Sequence, residues 1–370
     1  MVHTANINPQ DAMKFDKTFP HRIIRSSFIR HVQEVVVHDQ NQNKIHLILG
    51  KLRSLIEYFC WPIVALQLIL RERPDIVHIG EHNFSGIAAW LAQRFLGIPY
   101  IFYTYAEEIP ILSQRPIHNK IFLSILRNAD KVISCNEYTR KKLIGLGVPS
   151  EDIIKILPAV SEKKKIAVTS EQIESVRRKY QLKNHKILLT VGALIERKGH
   201  STVISILPII NRSFYNTKYI IVGNGPRRED LFKQVEVFNL SKQVIIIGNI
   251  NDIELSSLYE LCDIFVMPHR EVKNTLDTEG CPTVFLEASA HGKPVIGGNV
   301  GGVGDAIINE KTGYIIDGTD KVALADVIIN LLSDNELSNK MGKAGQRYTS
   351  LLTPERNAQK IWDLSKSLMK

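Results

Sequence analysis

Two glutamates separated by seven residues, Glu279 and Glu287, flank the run GCPTVFL, where a polar loop passes into an apolar stretch closed by His291-Gly292-Lys293-Pro294. Proline is pre-shaped for the first helical position, so a helix start is expected at Pro282. Glu279 then lies in the loop ahead of the helix and Glu287 in its second turn. Side chains on a helix lean towards its N-terminus, so both carboxylates face the space above the helix tip. Free N–H groups and the helix dipole favour an anion there. Acids beside an anion site make sense for a ligand carrying hydroxyls as well as phosphate, and a nucleotide-sugar is such a ligand. In isolation the window reads more economically as a capped helix with one loop acid and one paired, buried acid. Its surroundings tip the balance.

A second candidate is VGALIERKGH, in which a strand delivers Gly192 and Arg197-Lys198-Gly199 is expected to open the next helix. Two cations at a helix tip would neutralise a diphosphate, and in isolation they read equally well as surface cations on a turn. VGNGP brings Gly223 and Gly225 into another strand-to-helix turn, and NVGGVGDAI brings Gly301-Gly302 into a third. Each glycine turn alone is weak, since any tight turn uses glycine. Together with the two-carboxylate loop they form a set, all at the ends of β-branched runs.

Those runs define the scaffold. ILLTVG, KYIIVGNG, QVIIIGN, DIFVMP, KPVIGG and GYIID alternate with helical segments over residues 187–317, which describes a doubly wound α/β domain. Such sheets bind ligands at the carboxyl ends of their strands, where these glycines fall. In the first half, MVHTAN reads as the tail of a strand and HRIIRSSFIR as a source of another. Ile76–Ile79, PYIFYTY and KVISCN follow as strands, with a helix from Phe84 to Phe95. The rhythm breaks at LPAVSEKKK, so the domain boundary is expected near residue 160, with Lys163–Lys165 as a solvated linker. The expected organisation is an N-terminal acceptor-side Rossmann-like domain over 1–160, a nucleotide-sugar-binding domain over 161–345, and a C-terminal helix over 346–370 packing back on the first domain.

Composition narrows the class. The charged fraction of 23% and hydrophobic fraction of 44% are ordinary for a globular protein. Cys60, Cys135, Cys262 and Cys281 form no CxxC pair, which argues for a reducing cytoplasm and against a zinc site. Leu55–Leu70 is too short and too interrupted for a membrane span and is expected to be a buried helix. The net charge of +9 calls for an anionic partner, but it divides as +5 over residues 1–160 and +4 over the rest. No single nucleic-acid-binding domain stands out, whereas a basic face against acidic phospholipid is compatible.

VGALIERKG, IIVGNGP, QVIIIGN, DIFVMP…TEGCPTVFLEASAHGKPVI and GGVGDAI, in this order, resemble the retaining glycosyltransferases of GT-B fold. That large family contains the phosphatidylinositol mannosyltransferases and many polysaccharide-assembly enzymes, and Glu279 and Glu287 match its Glu-x7-Glu motif. The resemblance implies two Rossmann-like domains facing across a cleft, and a sugar passed from a UDP- or GDP-sugar to an acceptor hydroxyl with retention and without a metal. It further implies that Glu279 touches the donor sugar, that Glu287 binds the ribose hydroxyls, and that Lys198 and Arg197 hold the diphosphate. By the same resemblance, the backbone around Gly280, Cys281, Pro282, Thr283 and Val284 covers sugar and phosphates, and the base lies near Asn249 and Ile250. Polysaccharide, glycolipid or lipid-linked acceptors are implied, at the cytoplasmic face of a membrane, with no cofactor and no nucleic acid. A nucleotide-sugar 2-epimerase and a non-catalytic nucleotide-sugar-binding subunit are the competing readings.

The chain departs from the family at three places. Ala193 stands where arginine is usual. Tyr105 stands where a histidine is common, with Glu107 nearby. The resemblance also implies a first strand, glycine loop and helix in the N-terminal domain, which the sequence from Met1 onward does not match; a start upstream of Met1 is the favoured expectation and a shortened N-terminal domain the alternative.

Overall fold

The computed structural model describes residues 2–5, 23–26, 62–80, 85–106, 109, 116–160, 167–272 and 279–369. Glu107, Asp277, the Lys163–Lys165 run and residues 55–61 lie outside them. The chain forms two compact units, one of Met1–Tyr103, Pro116–Val132 and Leu368–Lys370, the other of Thr104–Arg115 and Ile133–Ser367.

In the first unit, β1 (Val2–Ala5) and β2 (Ile23–Ser26) pair in parallel at the two places expected for strands. β3 (Val77–Ile79) pairs in parallel with β4 (Tyr100–Thr104), Ile79 opposite Phe102. The helix Ser85–Leu96 presents Ala88 and Ala92 one turn apart, and these small side chains pack against Ile69 and Val77. Asp130 ties the end of this layout together, accepting from the Tyr100 backbone N–H at 2.9 Å and from Gln93 Nε2 at 2.7 Å. The stretch expected as a buried helix is helical over 62–72 and only partly buried, with Ile63 and Leu70 exposed. Among the described residues no helix is long and apolar enough to cross a membrane.

After Thr104–Arg115 the second unit resumes with the end of β5 (Lys131–Ser134), the helix Glu137–Gly145 and β6 (Ile153–Lys155). Its main sheet uses β7 (Lys186–Val191), β8 (Thr217–Val222), β9 (Val244–Ile247), β10 (Ile264–Met267), β11 (Val295–Gly298) and β12 (Gly313–Ile316). All six of the expected strands are present. They pair in parallel in the order β12-β11-β10-β7-β8-β9. Counted from β7, this is the doubly wound order 3-2-1-4-5-6, whose direction of travel reverses between β7 and β10.

Burial on both faces explains why these strands read as unbroken apolar runs. Leu188, Tyr219, Ile221, Ile264 and Val266 point into one core, under the helices His200–Ser213 and Lys321–Ser333. Their neighbours Leu189, Ile220, Phe265 and Met267 point into the other, against Leu258, Tyr259 and Phe285. The alternation is the two-residue period of a strand. Truncating a wholly buried position such as Leu188 to alanine is expected to cost about 2–5 kcal/mol. The closing helix, Pro354–Leu368, lies within the stretch 346–370 expected as a C-terminal helix, whose first residues instead end the helix Asn335–Thr349, and Asn357 Nδ2 donates to the Leu157 carbonyl at 2.7 Å.

Candidate functional site

The reversal between β7 and β10 gathers the chemistry. After β7 the chain runs through Gly192 and Ala193, whose loop is fixed by Leu194 N–H donating to the Asn224 carbonyl at 2.9 Å. It then forms a 3₁₀ turn, Glu196–Lys198, and enters the helix His200–Ser213 through Gly199 at φ +73°. Arg197 and Lys198 therefore stand one turn ahead of the helix, not in its opening turn as expected from sequence. The cause is local: Gly199 takes the left-handed conformation open to glycine, and a Cβ there would collide with the Pro268 carbonyl. The same closeness ties the exits of β7 and β10 together, with Arg270 N–H donating to the Arg197 carbonyl at 3.0 Å.

Glu279 is the centre of this cluster. Its Oε2 accepts from Arg197 Nη1, from Lys198 Nζ at 2.7 Å and from His269 Nε2 at 2.9 Å. The carboxylate is buried, as are Arg197 and His269. Burial alone would push the carboxyl up. The His269 hydrogen bond and the charges of Lys198 and Arg197 outweigh burial and hold it down at about 2. Burial pulls the His269 imidazole below its ordinary range despite the opposing pull of Glu279. Sequence reasoning thus brings Glu279, Arg197 and Lys198 together correctly and misses His269, which leaves β10 two residues after Met267.

The loop that carries Glu279 is held through its backbone. Gly302 N–H donates to the Glu279 carbonyl at 3.2 Å, and Gly301, at φ +58°, leaves room for that carbonyl. Asn136 Nδ2 donates to the Gly280 carbonyl at 2.5 Å while Asn136 Oδ1 caps the helix Glu137–Gly145 by accepting from Thr139 N–H. Asp305 adds a second tie, accepting from Glu137 N–H at 2.5 Å and from Lys155 Nζ at 2.9 Å. Asn136 is wholly buried. Its capping role was readable from CNEYT, whereas its grip on Gly280 joins residues 144 positions apart.

The helix after this loop spans Thr283–Ala290, one residue later than expected, with Pro282 in the capping position. Pro282 has no N–H to offer and Thr283 N–H already donates to the Cys281 carbonyl at 2.9 Å, so the next backbone donor at this tip is that of Val284. Burial pushes the Cys281 thiol up, which keeps it protonated. Glu287 is buried in the second helical turn, and Tyr259 Oη donates to its Oε2 at 3.0 Å. Tyr259, also buried, is a further residue that sequence reasoning misses.

Gly223 and Gly225 sit hard against the Gly192–Leu194 loop, where a Cβ on either would collide with backbone. Their part is to let two strand exits approach. Asn224 Nδ2 reaches Asn249 Oδ1 at 3.0 Å, linking the exits of β8 and β9, and Ile250 packs partly buried against the core. Tyr105 is 53% exposed, and Glu107 falls outside the described residues.

Comparison with known proteins bears on the family and the fold. The family model described as glycosyl transferases group 1 matches residues 172–348, and that described as glycosyltransferase family 4 matches residues 24–164. The GDP-mannose-dependent alpha-(1-6)-phosphatidylinositol monomannoside mannosyltransferase of Mycobacterium tuberculosis is 31% identical over 260 residues, 70% of this chain and 65% of that protein's length. The enzyme of the same description from Mycolicibacterium smegmatis is 30% identical over 280 residues, 73% of each chain. Among solved structures, Anabaena Alr3699/HepE in complex with UDP superposes with a TM-score of 0.76 at 16% identity, covering 99% of this chain and 100% of that one. The chain has the GT-B fold and belongs to the glycosyl transferases group 1 family.

Proposed function

We propose that this protein transfers a hexosyl group from a UDP- or GDP-sugar to an acceptor hydroxyl with retention of configuration and without a metal ion. The acceptor is proposed to be a glycolipid, a lipid-linked sugar or a growing polysaccharide, met at an acidic cytoplasmic membrane surface. The observation that carries the reading is the meeting of Arg197 and Lys198 with Glu279 at the reversal point of a doubly wound sheet. Two cations there suit a diphosphate, and a buried, ionised acid suits sugar hydroxyls.

A nucleoside diphosphate is already a good leaving group, so what it needs is charge stabilisation as the glycosidic C–O bond breaks. Lys198 and Arg197 supply that charge, together with the backbone N–H groups at the tip of the Thr283–Ala290 helix. Glu279 orients the sugar and Glu287 the ribose. The acceptor oxygen bonds to the anomeric carbon on the face the phosphate leaves, and its proton passes to the departing phosphate oxygen.

The test is a panel of UDP- and GDP-sugars, each with and without glycolipid acceptor, read by released nucleotide and by analysis of the sugar. Release that depends on acceptor supports the proposal. An epimer formed from donor alone, or nucleotide binding with no release for any pair, overturns it.

A further inference from the structure

We propose that His269 is the positioning residue of Glu279: its Nε2–H fixes the carboxylate when a diphosphate draws Lys198 and Arg197 away. The inference rests on the proposed function for the diphosphate, but its physical core is a comparison of the three donors that share Glu279 Oε2.

An ionised carboxylate only accepts, so the His269 nitrogen 2.9 Å from Oε2 carries the hydrogen. With the imidazole neutral, Nδ1 is then a bare lone pair, and Nδ1 is buried with no hydrogen-bond partner among the described residues. Leaving a buried acceptor unmet is costly, and the ring is nevertheless held in the orientation that serves Glu279.

The restraint on the ring comes from all sides. His269 is 0% exposed, and Phe285 meets its ring at 64° with centroids 5.5 Å apart. Its backbone N–H donates to the Met267 carbonyl at 2.8 Å. Gly298 and Gly318 press so closely on its carbonyl that a Cβ on either would collide with it. Arg197 and Lys198 are different in kind, being long side chains whose charged ends can pivot about flexible stems. A diphosphate competes with Glu279 for both of them. The charged and titratable groups facing Glu279 are Arg197 and Lys198 from the turn after β7, His269 from the exit of β10 and Cys281 from its own loop, while His200, at the start of the next helix, faces Lys198 and His269. Of its three hydrogen-bond donors, His269 alone has no competing use for an anionic ligand and no room to move.

The experiment follows Glu279 directly, by titrating its ¹³C-labelled carboxyl in the whole protein, with the signal assigned through Glu279→Gln. Wild type, His269→Phe and His269→Gln are compared with and without saturating UDP or GDP. Gln offers an N–H near the position of Nε2, and a thermal melt confirms that each variant is folded. With nucleotide bound, the carboxyl of His269→Phe is expected to titrate about one pH unit or more above wild type, and Gln to restore most of the difference. Turnover of the His269→Phe variant is expected to fall roughly 10–100-fold in kcat with donor KM within about threefold. Unchanged titration in folded His269→Phe overturns the proposal.

A separate arm needs no nucleotide. Lys198→Met removes the cation by substitution, and the carboxyl should titrate higher in Lys198→Met/His269→Phe than in Lys198→Met alone. Coincident curves overturn the proposal. Failure of wild type to bind either nucleotide would overturn the proposed function instead, and this second arm still decides the role of His269.

Discussion

Lys198 Nζ lies 2.7 Å from Glu279 Oε2, across 81 residues of sequence, because the exits of β7 and β10 flank the point where the sheet reverses. Replacing Lys198 by Met removes one of the two cations assigned to the diphosphate. Nucleotide binding should weaken by about 1.5–3 kcal/mol, roughly 10–100-fold in Kd. Calorimetry with UDP and GDP checks this, and unchanged affinity would detach Lys198 from the donor.

Asn136 separates a structural role from a functional one. Asn136→Ala loses both the helix cap and the donor to the Gly280 carbonyl, and should cost about 1–3 kcal/mol in a denaturant melt. Asn136→Ser keeps a capping oxygen and loses the reach to Gly280. It should lie closer to wild type in stability while still lowering turnover, because the Glu279 loop is held less firmly. Equal turnover in Asn136→Ser and wild type would show that the Gly280 link is only structural.

Two glycines give opposite expectations. Gly199→Ala forces a left-handed backbone on a residue with a Cβ, about 1–2 kcal/mol before its collision with the Pro268 carbonyl is added. It also displaces Arg197 and Lys198, so both melting temperature and turnover should fall. Gly304 has open space at its Cβ, and Gly304→Ala should stabilise by about 0.4–1 kcal/mol. Thermal melts of the pair read the contrast, and a tolerated Gly199→Ala would contradict the tight turn.

Acid should unfold the protein in two windows. His200 is buried, and burial together with the nearby charges of Lys198 and His269 draws it down from 6.5 to about 3. The unfolded chain takes up this proton first, so stability falls as pH drops below 6.5 towards 3. Glu279 is depressed from 4.5 to about 2, so its contribution is whole above 4.5 and is lost as pH falls towards 2. His200→Gln should flatten the slope between pH 6.5 and 4.5, and Glu279→Gln the slope below 4.5. Melting temperature against pH for the three proteins decides it, and parallel curves would contradict both assignments.

Much of this was legible in the sequence because parallel strands buried on both faces announce themselves. ILLTVG and KYIIVGNG are apolar runs ended by glycine, and strand exits in a doubly wound sheet converge by topology, which placed Glu279 with Arg197 and Lys198. What stayed hidden were partners set by packing. His269 follows a strand in MPHR like any polar residue at an exit, and only its place just past the strand beside β7 marks it. Tyr259 lies in an ordinary apolar helix face, with nothing local to announce its bond to Glu287. The helix starts after Lys198 and at Pro282 were each misplaced by a local backbone feature, a left-handed glycine in one case and a capping proline in the other.

The central claim is that Glu279 serves the sugar while Arg197 and Lys198 serve the phosphates. Glu279→Gln measured by calorimetry with UDP and GDP beside turnover of the sugar donor tests it most directly. Nucleotide affinity is expected to be kept or to rise, because the cations lose their competing acid, while turnover falls about 100-fold or more. Undiminished turnover in Glu279→Gln, or nucleotide binding lost in step with it, would contradict the account.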